Sequence, residues 1–148
     1  CQVGCGSGQV LNWLQQQFPQ IEQFIGLDAS PAQTEENRRH WVSHKVRFES
    51  ADAAEWLAAY AARGWVYLTY GGVFEHFTQR KLTALLQTLS VRRGPIILAI
   101  VEPLAEDFDL AAETTSRCYG DEGTLSHNYP HLPEEAGWTV THRTDEVI

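Results

Sequence analysis

Two short segments constrain the fold of this 148-residue chain most: V-G-C-G-S-G at residues 3–8, and I-G-L-D-A-S, whose Asp28 stands twenty residues after Gly8. Glycine is required where backbone turns at positive φ or where a ligand lies against bare main chain. Gly4, Gly6 and Gly8 supply three such positions directly before a segment with Val10, Leu11, Leu14 and Phe18 at helical spacing. The reading is strand, glycine loop and helix, with free N–H groups and a positive dipole end at the helix start. Asp28 ends the apolar run 24–27 and is expected at the C-terminal tip of the next parallel strand, within reach of a ribose diol. Such a unit reads as nucleoside-binding.

Glycine spacing separates two kinds of nucleoside site. A dinucleotide fingerprint, G-x-G-x-x-G, places its third glycine at position 9, where this chain has Gln9. The G-x-G-x-G pattern of Gly4, Gly6 and Gly8 instead resembles the first motif of class I S-adenosylmethionine-dependent methyltransferases, and the resemblance extends over nearly the whole chain. It implies S-adenosylmethionine as cofactor, with Gln2, Gly4, Cys5, Gly6 and Gly8 around its methionine part and Asp28 and Ala29 at its ribose. In that family the position two before the first glycine is usually acidic and helps hold the ligand's amino group; here it is Gln2. Ala51 and Asp52, in V-R-F-E-S-A-D-A, match the pair that lies beside the adenine amino group. Thr69, Tyr70 and Gly71, in L-T-Y-G-G-V-F-E-H-F, match the wall beside the sulfonium.

Each of these residues also has a structural reading. Asp52 opens D-A-A-E, the pattern of a helix N-cap with a capping-box glutamate, and both roles can hold at once. Ser30 in S-P-A-Q reads as an N-cap followed by proline at the first helical position, with Gln33 reaching back. Cys5 is a small packing residue of the loop, Tyr70 an aromatic packed on the sheet, and Glu75 with His76 a helix-start pair.

Strand-like apolar runs at 46–48, 66–68 and 95–101 alternate with helical periodicity such as Leu82, Leu85, Leu86 and Leu89. This βαβα order predicts a three-layer, Rossmann-like α/β fold with a mostly parallel sheet, helices on both faces and a ligand crevice at the strand C-termini. The all-apolar G-P-I-I-L-A-I-V is expected as a central strand buried on both faces. The 148 residues, 43% of them hydrophobic, suit one domain over 1–148. The chain starts inside the expected first strand, so part of that strand and any preceding helices are expected to lie outside it, and a seventh strand is not evident before Ile148.

Residues 104–128 are weakly periodic, polar and rich in aromatics and histidine, which suggests a cover that, with Tyr129, closes over a second substrate. A short helix at 132–136, a C-cap at Gly137 and a sixth strand at 138–144 are expected after it. His76, His127 and Tyr129 are candidates for taking a proton from an acceptor, since histidine titrates near neutrality. His127 and His131 stand four apart, but Pro130 interrupts the helix that would align them, and no ligand set has metal spacing, so no metal is expected. A net charge of −8 argues against a nucleic-acid partner, no run is long enough to span a membrane, and three cysteines suit a reducing cytoplasm. The expected activity is methyl transfer to a small molecule, at oxygen because the cover carries neutral His and Tyr. The alternatives are a non-catalytic nucleoside-binding or scaffold domain, favoured by Gln2, and a nicotinamide dehydrogenase, disfavoured by Gln9. The sequence leaves the oligomeric state open.

Overall fold

Five parallel strands form the sheet of the computed structural model, which describes residues 1–92 and 94–145. They are β1 (Gln2–Val3), β2 (Phe24–Asp28), β3 (Val46–Ser50), β4 (Val66–Tyr70) and β5 (Ile97–Val101), in spatial order β3-β2-β1-β4-β5. The order reverses at β1, so β2 and β4 diverge there and leave a crevice at their C-terminal tips. Helices α1 (Gln9–Gln17), α2 (Pro31–His40), α3 (Ala53–Tyr60) and α4 (Gln79–Ser90) make the crossovers, and a 3₁₀ turn (Phe74–His76) follows β4.

The helix starts obey local chemistry. Ser30 Oγ accepts from Gln33 N, Asp52 from Ala54 N and Glu55 N, and Thr78 Oγ1 from Lys81 N. The side chain of Gln33 does not reach back to the cap as expected, but donates to Asn37 Oδ1. Burial follows periodicity. Leu82, Leu85, Leu86 and Leu89 of α4 pack with Trp56, Leu57, Phe74 and Leu132 on one face of the sheet, while Leu11, Phe24, Phe48 and Cys5 form a smaller cluster on the other.

Three expectations are corrected. β5 is an edge strand among the described residues: it pairs only with β4, and Ile97 and Val101 are 58% and 48% exposed. Its apolar run therefore reflects packing of Leu98 and Ile100 on one face, not burial of both. The segment at 104–128 is not unpatterned, since β6 (Arg117–Tyr119) and β7 (Thr124–Ser126) form an antiparallel hairpin turned by Gly120 and Gly123 at positive φ. Finally, residues 138–144 form no strand. After α5 (His131–Glu135) the indole N–H of Trp138 donates to Leu86 O, anchoring the segment to α4 instead of to a sheet edge. No helix among the described residues is long and apolar enough to cross a membrane.

Candidate donor-binding cleft

The crevice at the strand tips is a cleft of about 550 Å³. Its floor is the glycine loop, where Gly4, Gly6 and Gly8 have φ of +65°, +47° and +75°. Gly4 leaves no room for a side chain, because a Cβ there would come 2.5 Å from Val73 Cγ2. Three side chains fix the loop from outside. Asn37 Nδ2 donates to Gly6 O at 2.7 Å, Trp41 Nε1 donates to Ser7 O at 2.7 Å, and Asp28 Oδ2 accepts from Gly6 N at 2.9 Å. A loop held by three polar contacts is preorganised for a ligand.

Eleven of the residues singled out from sequence line this cleft: Gln2, Gly4, Cys5, Gly6, Asp28, Ala29, Ala51, Asp52, Tyr70, Gly71 and His76. Gln2 is 3% exposed and its Oε1 has no partner. A buried acceptor without a donor is costly, so this oxygen is suited to an N–H group of a bound molecule. Asp28 divides its carboxylate: Oδ2 holds the loop and Oδ1 accepts from Ser30 N, and each oxygen keeps a lone pair for a diol. Asp52 caps α3 through Oδ1 and pairs with Lys81 through Oδ2, and the Lys81 ammonium holds its carboxyl below the usual carboxylate range. The structural reading of Asp52 thus coexists with a place on the cleft wall. Gly71 and Gly72, at φ +76° and +95°, expose main chain beside Tyr70.

Burial, and secondarily the nearby Asp28, pushes the Cys5 thiol up to about 12, so it stays protonated and unreactive. An alkylating reagent at mildly alkaline pH is expected to modify exposed Cys118 in the native protein and Cys5 only after unfolding, as peptide mass mapping would record.

Four residues singled out from sequence do not line the cleft. Gly8 packs beneath it against Trp41 and Phe48. Thr69 points to the opposite face of β4 from Tyr70, as alternation along a strand requires, and is buried there. His127 is wholly buried, with Nε2 3.0 Å from Phe74 O and Nδ1 2.6 Å from Ser116 Oγ. A carbonyl only accepts, so Nε2 carries the proton and Nδ1 accepts from the serine hydroxyl. With both nitrogens occupied, His127 fastens the segment at 104–128 to the 3₁₀ turn and has no free site for a substrate proton. Tyr129 has a buried hydroxyl without a partner, lies outside the cleft lining, and burial, then the nearby Glu102, pushes its phenol well above the ordinary range. His76 alone of the three candidates stands on the cleft rim, 61% exposed at its side chain, with Nε2 3.8 Å from Glu75 Oε1.

The sequence reading missed Asn37, Trp41, Val73 and Glu102. Glu102 had a signal: it follows the apolar strand β5 directly, as Asp28 ends β2. Asn37 and Trp41 had none, since contacts to Gly6 and Ser7 across more than thirty residues are set by how α2 docks. Among the described residues no group of three or more His, Cys, Asp or Glu side chains is arranged to hold a metal ion.

A family model described as a methyltransferase domain matches residues 1–92. That match covers more than half of the chain, and the chain belongs to this family, the class I S-adenosylmethionine-dependent methyltransferases. Solved structures share the fold. The plantazolicin methyltransferase BpumL, in complex with a pentazolic desmethylPZN analog and SAH, is 23% identical over 70% of this chain and 38% of its own, with a TM-score of 0.55. The sugar N-methyltransferase KedS8 from Streptoalloteichus sp ATCC 53650 is 20% identical over 84% of this chain and 48% of its own, at 0.56. An S-adenosylmethionine-dependent methyltransferase from Mesorhizobium loti is 13% identical over 95% of this chain and 74% of its own, at 0.59. This chain thus spans less than half the length of the first two. No curated protein matches it.

Proposed function

We propose that the cleft binds S-adenosylmethionine and that the protein transfers its methyl group to a small-molecule acceptor, at oxygen. The observation that carries this reading is the buried, unpartnered Gln2 Oε1 beside the bare backbone of Gly4 in a cleft whose other wall ends in Asp28. Gln2 would hold the ligand's amino group, the loop its methionine carboxylate, Asp28 its ribose diol, and Ala51 with Asp52 its adenine. When bound, the donor supplies an electrophilic methyl group. The protein's task is then alignment, because in-line displacement needs an acceptor held close and straight. Tyr70 and the Gly71-Gly72 backbone shape the wall where the acceptor approaches, and the ring face of Tyr70 suits a cationic neighbour. His76, exposed on the rim, is the group placed to take the acceptor's proton. No residue of 104–129 lines the cleft, so closure of this segment over the acceptor is supported only by Tyr119, whose hydroxyl donates to Glu75 next to His76. The acidic net charge and free cysteines agree with a small-molecule acceptor and a reducing cytoplasm.

Calorimetric titration with S-adenosylmethionine, S-adenosylhomocysteine and NAD tests the donor assignment, with binding of the first two and not of NAD expected. Asp28→Ala should weaken S-adenosylhomocysteine binding by about 1.5–3 kcal/mol, the range for a hydrogen bond to a charged group. An unchanged dissociation constant would remove Asp28 from the ribose site. A second reading, a binding domain without turnover, is favoured by the uncharged Gln2. Donor binding without transfer to any acceptor in a broad screen with labelled donor, before and after Gln2→Asp, would put it first.

A further inference from the structure

Glu102 lies outside the cleft yet connects its two walls. Its Oε2 accepts from Val73 N at 2.8 Å and Phe74 N at 3.0 Å, the amides that enter the 3₁₀ turn and have no helical partner of their own. Val73 in turn presses its methyl groups onto Gly4, where no Cβ would fit. One side chain after β5 is thus bonded to the turn whose Val73 packs on the glycine loop. Its other oxygen, Oε1, is buried without a partner, as are Thr69 Oγ1 and Tyr129 OH.

We propose that Glu102 is a positioning residue for the donor cleft: by holding Val73 and Phe74 against Gly4 it fixes the width of the cleft and so the affinity for donor. The inference rests on the donor reading above. A single oxygen makes both hydrogen bonds, so a neutral amide oxygen can take its place. Glutamine offers an oxygen to the same two amides and turns its NH₂ toward the side of the carboxyl that has no partner. Alanine leaves both amides with none.

The test compares wild type, Glu102→Gln and Glu102→Ala by calorimetric titration with S-adenosylhomocysteine and by hydrogen exchange of the Val73 and Phe74 amides in the ligand-free protein. Glu102→Gln should bind within about threefold of wild type, and Glu102→Ala at least about tenfold more weakly, as loss of two partly buried hydrogen bonds implies. In the alanine variant alone, exchange protection at Val73 and Phe74 should vanish while that of α4 persists. Leu89→Ala, a core truncation near the far end of α4, controls for general destabilisation and should lower the melting temperature without changing affinity. Wild-type affinity in Glu102→Ala, equal losses in the glutamine and alanine variants, or an equal loss in Leu89→Ala would each overturn the proposal while leaving the donor reading standing. No binding by wild type would overturn both.

Discussion

Gly4→Ala should abolish most donor binding, weakening S-adenosylhomocysteine about 100-fold, or roughly 2.7 kcal/mol. Two costs combine. The backbone at φ +65° is left-handed, which penalises any Cβ by about 1–2 kcal/mol. The added methyl would also sit 2.5 Å from Val73 Cγ2, and an overlap of that kind costs a further 1–3 kcal/mol or so when neighbours must shift. Val73 cannot yield freely, because its amide is bonded to Glu102. The glycine loop or the 3₁₀ turn must then move, and both line the cleft. Gly6→Ala separates the two costs, since at φ +47° it has nothing within 4 Å of an added Cβ. It should lose only the backbone share, about 1 kcal/mol of stability. Equal losses of melting temperature and affinity in the two variants would show that contact with Val73 does not govern the cleft.

His127→Ala should lower stability by about 3 kcal/mol, an effect on folding that dwarfs any on chemistry. The ring fills buried space and satisfies both Phe74 O and the hydroxyl of Ser116, so its removal leaves two polar groups without partners. Burial holds the His127 pKa below its ordinary value. The unfolded chain therefore takes up a proton near pH 6.5 while the folded ring stays neutral until lower pH, and in that window stability rises with pH. Below it, as pH falls through the folded value, this contribution is lost. Urea unfolding between neutral and mildly acid pH should show a shallower pH dependence in His127→Ala than in wild type. Donor affinity of the variant, measured well below its transition, should stay close to wild type. A variant as stable as wild type but unable to transfer methyl groups would return His127 to the role of base.

The same histidine shows where reading along the chain stops. Six histidines share one intrinsic pKa and one set of chemical options. Whether one is a base or a fastener depends on what its two nitrogens meet, and for His127 those partners lie 11 and 53 residues away. Tyr129 is similar: its place beside Glu102 is an outcome of how the segment at 104–129 docks. The β5 expectation failed for a related reason, because an apolar run reports that a strand is packed but not whether a neighbour pairs with its other edge. The β6–β7 hairpin was missed although G-D-E-G between short β-prone runs is a turn signal.

Local chemistry alone determined much else. Glycines at positions 4, 6 and 8 permit the left-handed turns that the chain makes there, serine, aspartate and threonine cap helices through contacts two or three residues away, and period-3.6 leucines mark the buried side of α4. Those features place β1, the loop, α1 and Asp28, and with them the cleft. Tertiary structure decided which side chains turn toward that cleft and which fasten the fold around it. Asn37, Trp41 and Glu102 act on backbone atoms about thirty residues distant, and such contacts exist only once helices and turns have docked on the sheet.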